Sequence, residues 1–157
     1  MGQMYFPDEF VYGNASFGYS STPNPTAEIS KVWLEQNYRG ADLYAHYTNG
    51  LMIHIDFSVK NYQDRICKVQ AFFYEEDYYR DIKGRSNMYR CDSGSAFVGS
   101  TTKSYSSHSN WQNYQLFMPY NELVCNRSTI LSFILVVRDD RNGEMARVSG
   151  KFHFIKY

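Results

Sequence analysis

Ser93, within Asp92-Ser93-Gly94, has the local form of an activated serine; a triad would need His54 or His108 as base and Asp56 to orient it. Asp-Ser-Gly is also an ordinary turn, and a turn is the preferred reading. Cys91 or Cys125 with His108 would make a thiol–imidazole pair. An unpaired cysteine is more often a small buried hydrophobe, and Cys67, on an apolar strand face, is expected in the core. His46, His54, His108 and His153 are too scattered to specify zinc, and His54 is expected on an exposed strand face. Two acidic stretches, Glu75-Glu76-Asp77 with Asp81 and Asp139-Asp140 with Asn142 and Glu144, raise calcium, which takes oxygen ligands from flexible loops. If the two loops share one end of the fold, Asp77, Asp81, Asp139 and Asp140 are its ligands. Otherwise Asn142-Gly143 is a hairpin turn and the acids are solvated. No catalytic residue, cofactor or metal is expected.

The aromatic content is the most unusual feature: 15 Tyr, 11 Phe and 2 Trp make up 18% of the chain. Tyr62, Tyr74, Tyr78, Tyr79, Tyr105, Tyr114, Tyr120 and Trp111 exceed what inward strand positions can hold, so some must line a surface. Amphipathic rings supply contact area at low entropic cost, which suits protein recognition or stacking against sugars. Tyr78-Tyr79-Arg80, Tyr105 to Trp111, and Tyr114 are the candidate binding residues. Trp33 and Trp111 can also anchor the edges of a core.

Composition narrows the classes. A chain of 157 residues has the length of one domain, and its 16 basic and 16 acidic residues cancel. Without a basic excess, nucleic-acid binding is disfavoured. The longest apolar run, residues 130–137, is interrupted by Ser132 and too short to cross a bilayer, so no transmembrane segment is expected. Residues 1–9 do not read as a secretory leader. Three widely spaced cysteines suit a reducing compartment, and a cytoplasmic location is expected.

The positioning elements read as strands. Residues 1–26, ending in Ser21-Thr22-Pro23-Asn24-Pro25, suggest an extended, unpaired tail or linker, with a domain over 27–157. A first strand is expected over 29–36. In residues 51–60, Leu51, Ile53, Ile55, Phe57 and Val59 alternate with polar residues, the pattern of a sheet with one core face. Residues 66–76 alternate in the same way and make an antiparallel partner. Short strands are expected near 88–91 and 96–98, and an exposed loop over 101–110. Residues 112–118 form another strand ended by Pro119, followed by a helical turn over 119–124. Residues 129–137 are apolar on both faces, the pattern of a central strand. A turn at 139–143 then leads to a closing strand that presents Ala146, Val148, Phe152 and Phe154. The expected fold is all-β, an antiparallel C2-like or immunoglobulin-like sandwich of about 6–8 strands with little helix.

Four segments carry a resemblance: Val32-Trp33-Leu34-Glu35-Gln36-Asn37, Gly50 to Phe57, Val69-Gln70-Ala71-Phe72-Phe73-Tyr74, and Leu116-Phe117-Met118-Pro119-Tyr120-Asn121-Glu122-Leu123. With them the chain resembles the C2-like β-sandwich accessory domains appended to tetratricopeptide-repeat, caspase-like or kinase proteins of Bacteroidetes-type bacteria. The resemblance implies a non-enzymatic interaction domain that recognises a protein partner or a neighbouring domain. A carbohydrate-binding module and a calcium-dependent membrane-surface binder are the alternatives. An open sheet edge would also allow a homo-oligomer by strand addition.

Overall fold

The structure is a computed structural model that describes residues 9–10, 15–16, 24–75 and 80–156. In chain order its strands are β1 (Glu9–Phe10), β2 (Ala15–Ser16), β3 (Thr26–Ala41), β4 (Tyr47–Lys60), β5 (Ile66–Glu75), β6 (Arg80–Asp81), β7 (Lys83–Gly84), β8 (Phe97–Lys103), β9 (His108–Pro119), β10 (Leu123–Val124), β11 (Thr129–Arg138) and β12 (Glu144–Phe154). The helical content of the described residues is two single 3-10 turns, Asn87–Tyr89 and Tyr120–Glu122.

One sheet has the order β1-β3-β4-β9. A second has the order β2-β12-β11-β5, with both β8 and β6 on the far edge of β5, and β7 pairs with β10 in a short two-stranded sheet. Every pairing is antiparallel, so the fold is an all-β sandwich. Period-two alternation makes it: Leu51, Ile53, Ile55, Phe57 and Val59 of β4 are buried, and they face Cys67, Val69, Ala71 and Phe73 of β5 and Leu131, Phe133, Leu135 and Val137 of β11 in one continuous core. β11 lies between β5 and β12, and Ser132 and Val136 on its second face are buried too, as the apolar run implies. The β8 and β9 edges are tied together across the sheets by Tyr114 and Ser100 (hydroxyls 2.6 Å apart) and by Trp111 Nε1 donating to Thr102 Oγ1 at 3.1 Å.

Several expectations change. Strand β3 runs well beyond 29–36 and carries two bulges, and Glu9–Phe10 and Ala15–Ser16 of the expected unpaired tail pair with β3 and β12. The expected loop over 101–110 is instead the end of β8, a short connection over 104–107 that crosses between the sheets, and the start of β9. Its polar residues are there to satisfy backbone: the buried Ser104 hydroxyl bonds the Tyr62 carbonyl, and the buried Ser109 hydroxyl accepts the Tyr105 and Ser106 amides at 3.0 and 3.1 Å. Residues 88–91 form part of a 3-10 turn and a single bridge, Arg90 to Ala96, rather than a strand. His54 is buried, not exposed. Its ring stacks on Trp33 at 5.0 Å, with Nε2 3.1 Å from Glu35 Oε1 and Nδ1 against Asn113 Oδ1.

The connections fall at two ends. The upper end carries the β3–β4 turn, the turn at 87–89 and the start of β11; the lower end carries the β4–β5, β8–β9 and β11–β12 turns.

Candidate interaction surface

The upper end presents an unusual amount of apolar surface. Leu43, Tyr44, Tyr47 and Met88 are 51%, 43%, 69% and 46% exposed, on two loops that are far apart in sequence. The loops are fixed to each other. Tyr89, its ring fully buried, accepts the Leu43 amide on its hydroxyl at 2.8 Å, and the Tyr44 hydroxyl accepts the Met88 amide at 3.3 Å. The first loop is shaped by Asp42, whose carboxylate accepts the Tyr44 and His46 amides at 2.9 and 2.8 Å, while Ala45 adopts positive φ. The second is shaped by Glu122, buried, which accepts the Ser86 amide and hydroxyl at 2.9 Å each. Gly84 lets the second loop close on itself: a Cβ there would stand 2.2 Å from the Tyr89 carbonyl oxygen. Burial pushes the Tyr89 hydroxyl up to about 12, so it stays neutral and keeps its hydrogen-bonding role across ordinary pH.

None of these four exposed residues is among the candidates read from the sequence. Of those, Tyr78, Tyr79 and Asp77 lie outside the described residues. Arg80 is exposed at the upper end and pairs with Glu75 at 3.7 Å. Tyr105, Trp111 and Tyr114 come together at the lower end and along the β8–β9 edge. The Trp111 ring stacks on Phe57 at 4.6 Å, Tyr114 meets Phe57 edge-on at 5.6 Å, and Tyr105 meets Trp111 edge-on at 6.0 Å. Trp111 and Tyr114 are half-buried against the core; Tyr105 is 60% exposed. Arg80 and Tyr105 are separated by the length of β5, about 30 Å at ~3.3 Å per residue. Arg80 and Tyr105 therefore do not share one surface. A signal for the upper patch does exist in Leu43-Tyr44-Ala45-His46-Tyr47: two large apolar residues occupy a turn, where polar residues are the rule, and a third opens the strand that follows.

The other constellations are not assembled. Ser93 sits in a tight turn with Gly94 at φ +90°, and its hydroxyl lies 3.1 Å from Cys91 Sγ and 3.2 Å from Ser95 Oγ. Of its imagined partners, His54 is engaged by Glu35 and Asn113, His108 is at the lower end opposite Lys60, and Asp56 accepts the Asn113 amide at 2.8 Å. Cys125 contacts Glu75 rather than a histidine, at 3.7 Å. The calcium condition also fails: Asp81 is at the upper end, whereas Asp139 and Asp140 are at the lower, where Asp140 pairs with Arg65 at 2.8 Å and Asp139 accepts the Arg141 and Gly143 amides. Among the described residues, no three His, Cys, Asp or Glu side chains gather as a metal site would need.

The three thiols differ. Burial pushes Cys67 up to about 11 and also raises Cys125. Burial acts to raise Cys91 as well, but hydrogen bonds from the Ser93 hydroxyl and from the backbone at Ser93 and Ser95 outweigh it and hold the thiol below its ordinary value.

A polar groove of about 500 Å³ runs over the outer face of β3, β4 and β9 near the lower end, lined by Glu28, Ser30, Asp56, Ser58, Lys60 and Asn110 among others. Bulges at Ser30 and at Gln112-Asn113, either side of Asp56, bend the sheet there. No protein-family model matches the chain, and no curated protein is detectably similar to it.

Proposed function

We propose that this protein is a non-catalytic β-sandwich interaction domain that recognises a protein partner or a neighbouring domain through its upper end. The observation that carries the reading is the patch of Leu43, Tyr44, Tyr47 and Met88, exposed and yet held in place by Tyr89 and Tyr44. Exposed apolar side chains on a rigid frame cost little conformational entropy to bind, and Tyr is among the residues that dominate binding hot spots. Three free cysteines are compatible with a reducing, cytoplasmic setting. The described residues contain no helix long and apolar enough to cross a membrane.

Affinity capture from an extract of the source cells tests this, with the full chain as bait beside Leu43→Asp/Tyr47→Asp and beside Tyr105→Asp at the opposite end. A protein retained by wild type and Tyr105→Asp, and lost from the double variant, is the expected result. Equal recovery on all three baits would contradict it.

A second reading, binding of a carbohydrate, is favoured by the groove, whose hydroxyls, amides and carboxylates suit a polyol. The Trp111 ring that borders it is committed to Phe57 and Thr102, which leaves the groove without a free stacking platform. Quenching of Trp111 fluorescence by added oligosaccharides would favour this reading over the first.

A further inference from the structure

The charges at the upper end are sorted. Three of its described acids point inward: the Asp42 side chain is 7% exposed and capped by two amides, Glu122 is buried against Ser86, and Glu75 is 13% exposed between Arg80 and Arg127 at 3.7 and 3.6 Å. Its bases point outward. Arg39, Lys83, Arg85 and Arg90 are exposed and make no ion pair among the described residues. The side-chain bonds of Arg85 and Arg90 go to neutral oxygens, the Asn121 carbonyl and Asn87 Oδ1, which leaves both charges uncompensated. Among the described residues, two exposed carboxylates stand against these four cations: Asp81, which accepts the Ser95 hydroxyl, and Asp92. Among the described residues this end thus turns more cations than carboxylates to solvent, and the cations neighbour the apolar patch along the chain. Met88 lies between Arg85 and Arg90, and Leu43 and Tyr47 follow Arg39 around the β3–β4 turn.

We propose that the occupant of this end is an acidic protein segment: an apolar side chain seats against Leu43, Tyr44, Tyr47 and Met88, and flanking Asp or Glu carboxylates pair with Arg39, Lys83, Arg85 and Arg90. This rests on the interaction reading and names the chemistry of the partner. Three of the four cations are Arg, whose planar guanidinium takes a carboxylate through two parallel hydrogen bonds. The apolar residues are braced by buried and cross-loop hydrogen bonds, a frame suited to shape-specific recognition of a peptide rather than to insertion among lipid chains.

The test pans a random dodecamer library displayed on phage against the immobilised full chain. Enriched peptides are synthesised and titrated by fluorescence anisotropy against wild type, Leu43→Asp and Lys83→Glu/Arg85→Glu/Arg90→Glu, each first checked for an unchanged melting curve; Arg85→Gln/Arg90→Gln replaces the triple variant if that one is unstable. The expected peptides carry Asp or Glu beside an apolar anchor. They bind roughly tenfold or more weakly to either variant and weaken as salt is raised. Peptides that need Leu43 but are not acidic and ignore the charge reversals would overturn the acidic partner and leave the interaction reading standing. Failure of any peptide to enrich over bare support overturns the proposal too, and the affinity capture then decides the interaction reading by itself. Sedimentation of wild type, but not the triple variant, with vesicles containing roughly one phosphatidylserine in three lipids would make a membrane the occupant and overturn it as well.

Discussion

Replacing Tyr89 with Phe isolates one hydroxyl. The ring is 1% exposed and its packing survives the change, so what is lost is the oxygen that accepts the Leu43 amide at 2.8 Å. A net hydrogen bond contributes about 0.5–1.5 kcal/mol, and an orphaned amide costs more where water cannot reach it. Leu43 is half exposed, so water relieves part of that cost and the expected loss is about 1 kcal/mol. For a chain of this length that lowers Tm by about 2–4 °C. Tyr44→Phe is the control. Its hydroxyl is exposed and accepts the Met88 amide at 3.3 Å, and its removal should cost under about 0.5 kcal/mol. Thermal unfolding gives the stabilities, and hydrogen exchange read by mass spectrometry should show faster exchange at residues 42–46 in Tyr89→Phe alone. The difference should also depend on pH. The fold holds Tyr89 neutral up to about 12, whereas the unfolded chain ionises it near 10. Above pH 10 the unfolded chain ionises Tyr89 while burial keeps it neutral in the fold, a cost of roughly 1.4 kcal/mol per pH unit that the Phe variant does not bear; the advantage of wild type is therefore full below pH 10, shrinks above it and reverses before pH 12. A Tyr89→Phe protein that melts with wild type at neutral pH, or a larger loss in Tyr44→Phe, would refute the view that Tyr89 anchors the patch.

Three other outcomes are expected. Gly84→Ala places a methyl 2.2 Å from the Tyr89 carbonyl oxygen and 2.7 Å from Arg90 Cβ, where the nearest obstacle is backbone; it should cost about 1–3 kcal/mol in denaturant melts, and an unchanged midpoint would contradict the close approach. Iodoacetamide followed by peptide mapping should label Cys91 ahead of Cys125 and spare Cys67 in the folded protein, because hydrogen bonds favour the thiolate at Cys91 and burial opposes it at the other two; uniform labelling would count against this. The Arg65 hydrogen bond holds the Asp140 carboxyl below 3.8, so its stabilisation is present above that pH and lost as pH falls through the lower folded value; the gap between wild type and Asp140→Asn should close in acid and shrink in high salt, and a constant gap would exclude the pairing.

The fold was legible wherever a strand has one dry face. Leu51 to Val59 and Cys67 to Phe73 alternate because one side of each sheet is core, and residues 129–137 lose alternation because β11 is covered on both sides. Bulges left no such trace: Asn37 in β3 and Asn113 in β9 sit at positive φ where the pairing of each strand with β4 shifts, and no local pattern marks them. His54 looked solvent-facing by parity, yet Trp33 and Glu35 from β3 and Asn113 from β9 cover it, a three-strand meeting that only the register reveals. The candidate residues read from the sequence are spread apart for the same reason. An aromatic excess signals that some rings are exposed without saying which, and Trp111 and Tyr114 proved to be half-buried at the seam between the sheets. Leu43, Tyr44, Tyr47 and Met88 converge through hydrogen bonds across more than forty residues of sequence, as between Tyr44 and Met88, with |i−j| of 44.

The most direct measurement is hydrogen exchange of the full chain, free and with its captured partner bound. Protection confined to residues 42–47 and 85–90, with the β8–β9 connection unchanged, is the expected result. Protection centred on the groove at 26–30, 56–60 and 108–112, or no protection at the upper end, would contradict an interaction domain that works through Leu43, Tyr44, Tyr47 and Met88.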